Sequence, residues 1–361
     1  MSPSSDSLRR LWRCLLTLCL ALFAALACVW LGTPIPWMIG PLLATSLASV
    51  LGARTLSANV LRNSGQWVIG TALGLYFTPV VGALVASLWW AIGLGIAWAL
   101  ALGLAFSFCL HRWHAAPEMG PGAAQWRATT YFAGAIGGAS EMTLIAERRG
   151  ARTDLVASAH SLRVLLVTVT IPFVIQAWGV RGLDVNLPGV REVQWVGLVQ
   201  LALWTLAGAL LMQRLGRANP WFMGALVVTM VLTLSGVELS AIPVWLTNAA
   251  QLVIGVSLGV RFTPGFLRTA PRWLASVAAA TGVMMLVCAI FAWGLARWTD
   301  LPWATLVLGT SPGGIAEMAI TAKVLELGVP VVTAFQVCRL VAVLVLAEPV
   351  YAWLQRRWPL D

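Results

Sequence analysis

The chain has 361 residues, of which 60% are hydrophobic and only 10% charged, with a formal net charge of +10. Apolar runs of about 20 residues recur along its whole length, which excludes an ordinary soluble domain and points to a polytopic helical membrane protein. The 23 Arg and Lys residues lie mostly in short links between those runs, so they read as charges that orient helices rather than as a nucleic-acid surface.

Taken in order, the apolar segments fall at 14–31, 36–51, 63–77, 81–110, 127–147 and 154–178, then at 194–213, 220–236, 246–261, 273–296, 302–322 and 330–354. Residues 9–31 imitate a secretory signal, because Arg9, Arg10 and Arg13 precede an apolar run with small residues near Cys28. The matching run at 194–213 favours a retained first helix instead. The two sets of six are an internal duplication. Residues 68–79 match 253–264 at eight of twelve positions, and both stretches end in Phe-Thr-Pro. Pro36-Trp37-x-x-Gly40 returns as Pro220-Trp221-x-x-Gly224. Gln66, Gly70 and Gly74 return as Gln251, Gly255 and Gly259, a small-residue stripe suited to close helix packing in lipid.

The fifth segments carry the most unusual pattern. Gly137-Gly138-Ala139-Ser140-Glu141-Met142 is repeated as Gly313-Gly314-Ile315-Ala316-Glu317-Met318, and each Glu is followed 22 residues later by a lone Arg, Arg163 or Arg339. If all twelve segments crossed the bilayer, 12 basic residues would face the cytoplasm and 9 the outside; if both fifth segments dip in and return, the split becomes 17 against 4. The positive-inside rule selects the second arrangement. The expected fold is therefore all-α, with two inverted repeats of five transmembrane helices plus one re-entrant hairpin each. Residues 1–13 form a cytoplasmic tail, 14–178 the first repeat, 179–193 an external linker, 194–354 the second repeat, and 355–361 a second cytoplasmic tail.

A lone Arg at a helix centre costs on the order of 2.5–3.5 kcal/mol on insertion scales, so each of the two needs a purpose. One purpose is structural, each Arg pairing with a Glu to hold its hairpin. The other is functional, Arg binding an anionic group bidentately while Glu carries a proton or helps hold a cation. The candidate substrate-binding residues are Gly137, Gly138, Ser140, Glu141 and Arg163, with Gly313, Gly314, Glu317 and Arg339. Thr143, Thr310 and Ser311 flank the tips as weaker hydroxyl candidates. His160 stands one turn before Arg163, but its counterpart is Gln336, which reads as a hydrogen-bonding neighbour rather than a proton carrier. Glu348 reads as an interfacial partner of Arg356 and Arg357.

The paired motifs, with Pro-Trp-x-x-Gly and the Phe-Thr-Pro turns, resemble the AbrB-type membrane protein family over about 14–355. The resemblance implies an internally duplicated protein of the bacterial inner membrane. It also brings two labels, ammonia monooxygenase and regulator of gene expression. Three scattered His and six Cys offer no copper or iron site, so neither metal nor cofactor is expected, nor enzyme activity. No soluble segment is long enough for a DNA-reading domain, so direct nucleic-acid binding is not expected and any regulation is indirect. The hairpins also look like those of glutamate- and citrate-type carriers. Together these features favour a secondary transporter of a small organic anion or zwitterion coupled to H⁺ or Na⁺, with a membrane sensor as the alternative. The expected partners are the bilayer, a small-molecule substrate and a coupling ion, with a homodimer left open and both termini cytoplasmic.

Overall fold

The computed structural model describes residues 3–114, 121–179, 192–265 and 270–357, and every regular element among them is a helix. In chain order these are α1 (Pro3–Trp30), α2 (Pro36–Val50), α3 (Asn59–Gly74), α4 (Pro79–Ser87), α5 (Trp89–Trp113), α6 (Pro121–Gly134), α7 (Ala139–Arg148) and α8 (Thr153–Ala177). They continue with α9 (Trp195–Arg214), α10 (Pro220–Leu234), α11 (Val244–Gly259), α12 (Pro271–Thr299), α13 (Trp303–Thr310), α14 (Ile315–Val324) and α15 (Val329–Arg357). The apolar segments read from the sequence all become helical, with two refinements. The fourth segment divides at Leu88 into α4 and α5, where no Gly or Pro marks a break, and α1 continues back through much of the stretch assigned to a tail. Most of the linker assigned to 179–193, and most of the tail assigned to 355–361, lie outside the described residues.

Six of the described helices, α1, α5, α8, α9, α12 and α15, are long and apolar enough to cross a membrane. The bent pair α3–α4, with 90° between its arms, raises that number to seven if it counts as one span. The remaining short apolar helices α2, α10 and α11 have 15 or 16 residues. At ~1.5 Å per residue they are shorter than a ~30 Å hydrocarbon layer. Length and composition therefore support a polytopic membrane protein, with fewer full-length spans than the ten that the charge pattern predicts.

The chain folds into two compact units, each drawing on both halves of the sequence. The first unit comprises 1–84, 172–269 and 319–330. Within it the repeated motifs have the same structural task in each copy. Pro36 and Pro220 open α2 and α10, where a missing backbone N–H costs nothing. The residues before them, Ile35 and Asn219, both take the left-handed conformation at φ 47°. The glycines four residues into each motif allow close helix approach: a Cβ on Gly40 would lie 2.6 Å from the Ala24 carbonyl oxygen of α1, and one on Gly224 2.5 Å from the Gly208 carbonyl oxygen of α9.

The small-residue stripes are exchanged between halves. Gly70 and Gly74 of α3 seat on α10 at Phe222 and Leu226, while Gly255 and Gly259 of α11 seat on α2 at Met38 and Leu42. Met38 and Phe222 each stand two residues after a matched proline, so the two contacts are the same contact made twice. A Cβ on Gly255 would sit 2.6 Å from the Met38 carbonyl oxygen, a backbone atom that cannot swing away. Gly255→Ala is expected to cost about 1–3 kcal/mol through overpacking, seen as a lower melting temperature of the detergent-purified protein. Gly282→Ala on α12, where an added Cβ meets nothing within 4 Å, is the matched control and is expected to be neutral or slightly stabilising.

The second unit comprises 85–171, 270–318 and 331–361. It contains α5, α6, α7, α12, α13, most of α8 and α15, and the first turn of α14, and it holds both Gly-Gly-x-x-Glu-Met stretches.

Candidate functional site

Each fifth segment is a helix, a four-residue break and a second helix: α6 stops at Gly134 and α7 starts at Ala139, just as α13 stops at Thr310 and α14 starts at Ile315. The last carbonyls of the first helix in each pair have no intrahelical donor, and a buried carbonyl left so costs free energy. The two lone arginines donate to carbonyls within the breaks themselves, and Arg163 also reaches back to the end of α6. Arg163, 2% exposed, donates from Nη2 to the Ala135 carbonyl at 3.0 Å, with longer contacts from Nη1 to Ala133 and Gly134 at 3.3 and 3.4 Å. Arg339, 5% exposed, donates from Nη1 to the Ser311 carbonyl at 2.5 Å and from Nη2 to the Gly313 carbonyl at 2.9 Å. Ala135 and Ser311 are 176 residues apart, as are Arg163 and Arg339.

The residues three positions earlier complete the cap. His160 Nε2 lies 2.9 Å from the Phe132 carbonyl oxygen, and the Gln336 amide donates to the Leu308 carbonyl at 2.7 Å and to Ser311 at 3.1 Å. Phe132 and Leu308 are again 176 apart. The His/Gln difference between repeats therefore conceals one function: both side chains present an N–H one helical turn before the Arg. His160 also fixes Arg163, its Nδ1 lying 2.8 Å from Arg163 Nη2. The Phe106 ring of α5 stands 5.9 Å from the Arg163 guanidinium carbon.

These contacts bear on both purposes considered for the arginines. The terminal nitrogens of each guanidinium reach main-chain carbonyls. They are not both free for a bidentate anion clamp. What each keeps is its Nε, which is buried and has no hydrogen-bond partner in either copy.

The glutamates occupy the other side of each break. Glu141 and Glu317 fall in the first turns of α7 and α14, where a negative charge is favoured by the helix dipole. Each folds back over its own helix start: a Cβ added to Gly138 would overlap Glu141 Oε2, and one added to Gly314 would overlap Glu317 Oε2. The preceding glycine makes room for the Met that ends the motif. A Cβ on Gly137 would lie 2.8 Å from Met142 Cε, and one on Gly313 2.8 Å from Met318 Cγ, with both Met side chains fully buried. None of the four glycines has positive φ. The pair thus serves close approach by the Glu and Met that follow it, rather than a left-handed turn.

The flanking hydroxyls are committed locally. Thr143 bonds to the Ala139 carbonyl, Thr310 to Leu306, and Ser311 to Leu308 and to the Met318 sulfur. The Ser140 side chain lies outside the described part of the structure. No three His, Cys, Asp or Glu among the described residues form a metal-ligating group. Glu348 departs from its expected pairing: its partner is Arg149, just after α7, at 2.6 Å. Both side chains are more than a third exposed, so Glu348→Gln is expected to change stability by less than about 1 kcal/mol in thermal melts.

No solved structure matches the chain. Two curated relatives do, each at 26% identity. "Uncharacterized protein YhjN" of Bacillus subtilis (strain 168) aligns over 89% of this chain and 87% of its own length. "Putative regulator AbrB" of Escherichia coli (strain K12) aligns over 86% of this chain and 87% of its own length. The family described as "Transition state regulatory protein AbrB" matches residues 37–355. Both Gly-Gly-x-x-Glu-Met motifs and their arginines lie inside that match, and the chain belongs to the AbrB family.

Proposed function

We propose that the protein is a secondary transporter of a small organic anion or zwitterion, coupled to H⁺ or Na⁺, with its site at the two helix breaks of the second unit. The observation that carries this reading is the repeated capped break, in which a buried guanidinium holds freed carbonyls and keeps one N–H without a partner. Broken helices at membrane depth are tolerated where they face protein or a water-filled path, and secondary transporters place substrate and ion sites at such breaks. In this reading Arg163 and Arg339 set a positive potential for the anion, aided by the N-termini of α7 and α14. Glu141 and Glu317 carry the proton, or join freed carbonyls around Na⁺. The glycines 137, 138, 313 and 314 let the carboxylates fold against the break. The ten-crossing inverted topology belongs to the same proposal, with both termini in the cytoplasm of a bacterial inner membrane.

The test is counterflow by the full chain in proteoliposomes, screened with labelled carboxylates under imposed H⁺ and Na⁺ gradients. Saturable counterflow that is lost in Glu141→Gln and Glu317→Gln is expected; saturable binding with no counterflow would replace the reading. Thiol labelling at Gly150→Cys and Leu325→Cys is expected from opposite sides of the membrane.

A second reading, a membrane sensor that acts on gene expression indirectly, is favoured by the family's description and by the name of the E. coli relative. It predicts the binding-only outcome of the same experiment.

A further inference from the structure

A cavity of about 820 Å³ lies among α5, α6 and α15 within the second unit. Its wall is apolar at Phe108, while His111, Arg127, Tyr131, Tyr351 and Gln355 supply polar groups. Among the lining residues Arg127 supplies a cationic side chain, within electrostatic reach of His111. A second, narrow cavity of about 60 Å³ shares Leu104 and Tyr131 with the first and continues to Ala135 and Ile136. Those two residues belong to the first helix break, and the Ala135 carbonyl is the one that Arg163 holds. Tyr131 therefore stands where the wide cavity narrows toward the break. Its hydroxyl donates to the Ala347 carbonyl at 2.8 Å, and its ring lies 5.0 Å from both Phe132 and Tyr351.

The polar mouth is not something the break requires. At the corresponding positions 176 residues on, Arg127 and Tyr131 become Trp303 and Val307, yet the second break is built and capped in the same way. The cationic and phenolic residues around the first cavity thus have no role in forming a capped break.

We propose that this cavity is an entry vestibule for an organic anion with an apolar body, an aromatic or short aliphatic carboxylate or sulfonate, and that Tyr131 is the constriction between it and the first break. The acid group is drawn by Arg127, with His111 beside it as a hydrogen-bonding group, and the apolar body packs against Phe108 and the tyrosine rings. The vestibule deepens the transport reading and rests on it only for the direction of passage.

The test is the labelling rate of Ser107→Cys, a lining position, in proteoliposomes of phosphatidylcholine with the native cysteines replaced by Ala. The probes are the sulfonatoethyl and trimethylammonioethyl methanethiosulfonates, similar in size and opposite in charge. The anionic reagent is expected to react about tenfold faster, and Arg127→Gln to remove the preference. Naphthalenesulfonate is expected to protect the thiol. Equal rates for the two reagents, or a preference unchanged by Arg127→Gln, would overturn the proposal. So would protection by added phosphatidylglycerol with none by naphthalenesulfonate, which identifies a lipid site. Ile136→Cys is expected to label at least tenfold faster once Tyr131→Ala is introduced; equal rates would remove Tyr131 as the constriction. Leu104→Ala, trimming the other shared wall, should act in the same direction and serves if Tyr131→Ala does not fold. None of these rates requires flux. Expected labelling without counterflow supports the vestibule while the transport reading fails, and counterflow with an unreactive Ser107→Cys overturns the vestibule alone.

Discussion

Arg163→Ala and Arg339→Ala are each expected to lower the stability of the purified protein as well as its transport, and Arg→Lys at either position is expected to restore little. Each substitution removes charge-assisted hydrogen bonds from buried carbonyls at a helix break. Bonds of this kind contribute about 1.5–3 kcal/mol each, and a buried acceptor left without a donor adds a desolvation penalty. A loss of about 3–5 kcal/mol is expected, read as a drop in melting temperature and weaker retention of folded protein in detergent. Lysine fails because a single ammonium on a flexible stem cannot reproduce the planar fork that spans Ser311 and Gly313. Gln336 remains to hold Ser311 in Arg339→Ala, so Gln336→Leu combined with it should fall further than either alone. Glu317→Gln is the contrasting substitution: it keeps the shape at the start of α14 and should melt near the wild type while losing counterflow. Wild-type melting in both Arg→Ala variants would show that the guanidiniums do not cap the breaks.

Gly313→Ala and Gly314→Ala are expected to separate two roles that the motif combines. A Cβ at Gly313 meets Met318 at Cγ, close to that residue's own backbone, where little room exists to yield. Overpacking of this kind costs about 1–3 kcal/mol, and Gly313→Ala combined with Met318→Ala should cost less than the sum of the two. A Cβ at Gly314 meets only the carboxylate end of Glu317, the far end of a flexible side chain. Gly314→Ala should therefore leave melting within about 1 kcal/mol of the wild type, since far ends of flexible side chains move cheaply, while counterflow drops severely. Equal melting losses in the two variants would mean that Glu317 is fixed more firmly than its position implies. Gly137→Ala and Gly138→Ala should repeat the pattern against Met142 and Glu141.

The sequence marked this site well and explained it only in part. Helix positions were legible because long apolar runs, Pro36 and Pro220, and the basic links bound them. The division at Leu88 was not legible, since neither Gly nor Pro stands there. The Gly-Gly pair is legible as a repeated motif but its task is not: a glycine chosen for close approach looks the same in sequence as one chosen for positive φ. Arg163 and Arg339 were recognisable as buried charges in need of partners. Their partners were not, because main-chain carbonyls have no letter in a sequence. The His160/Gln336 pair held the missing signal. Two different side chains at one repeat position, each able to donate an N–H one turn before an Arg, indicate a shared acceptor rather than a dispensable neighbour.

The exchange of glycine stripes between the halves also imposes an order of assembly. α2 and α3 leave the ribosome long before α11 and α10, the helices whose backbones they touch. Roughly 200 residues separate the end of α2 from α11, on the order of 10–40 s of synthesis at usual rates. During that interval the faces of α2 and α3 lack their final neighbours and must be covered by lipid, by α1, or by an insertion chaperone. A nascent chain halted between α8 and α9 is therefore expected to be the protease-sensitive stage of biogenesis. Substitutions at Gly70 or Gly74 should act after that stage, by preventing the second half from docking.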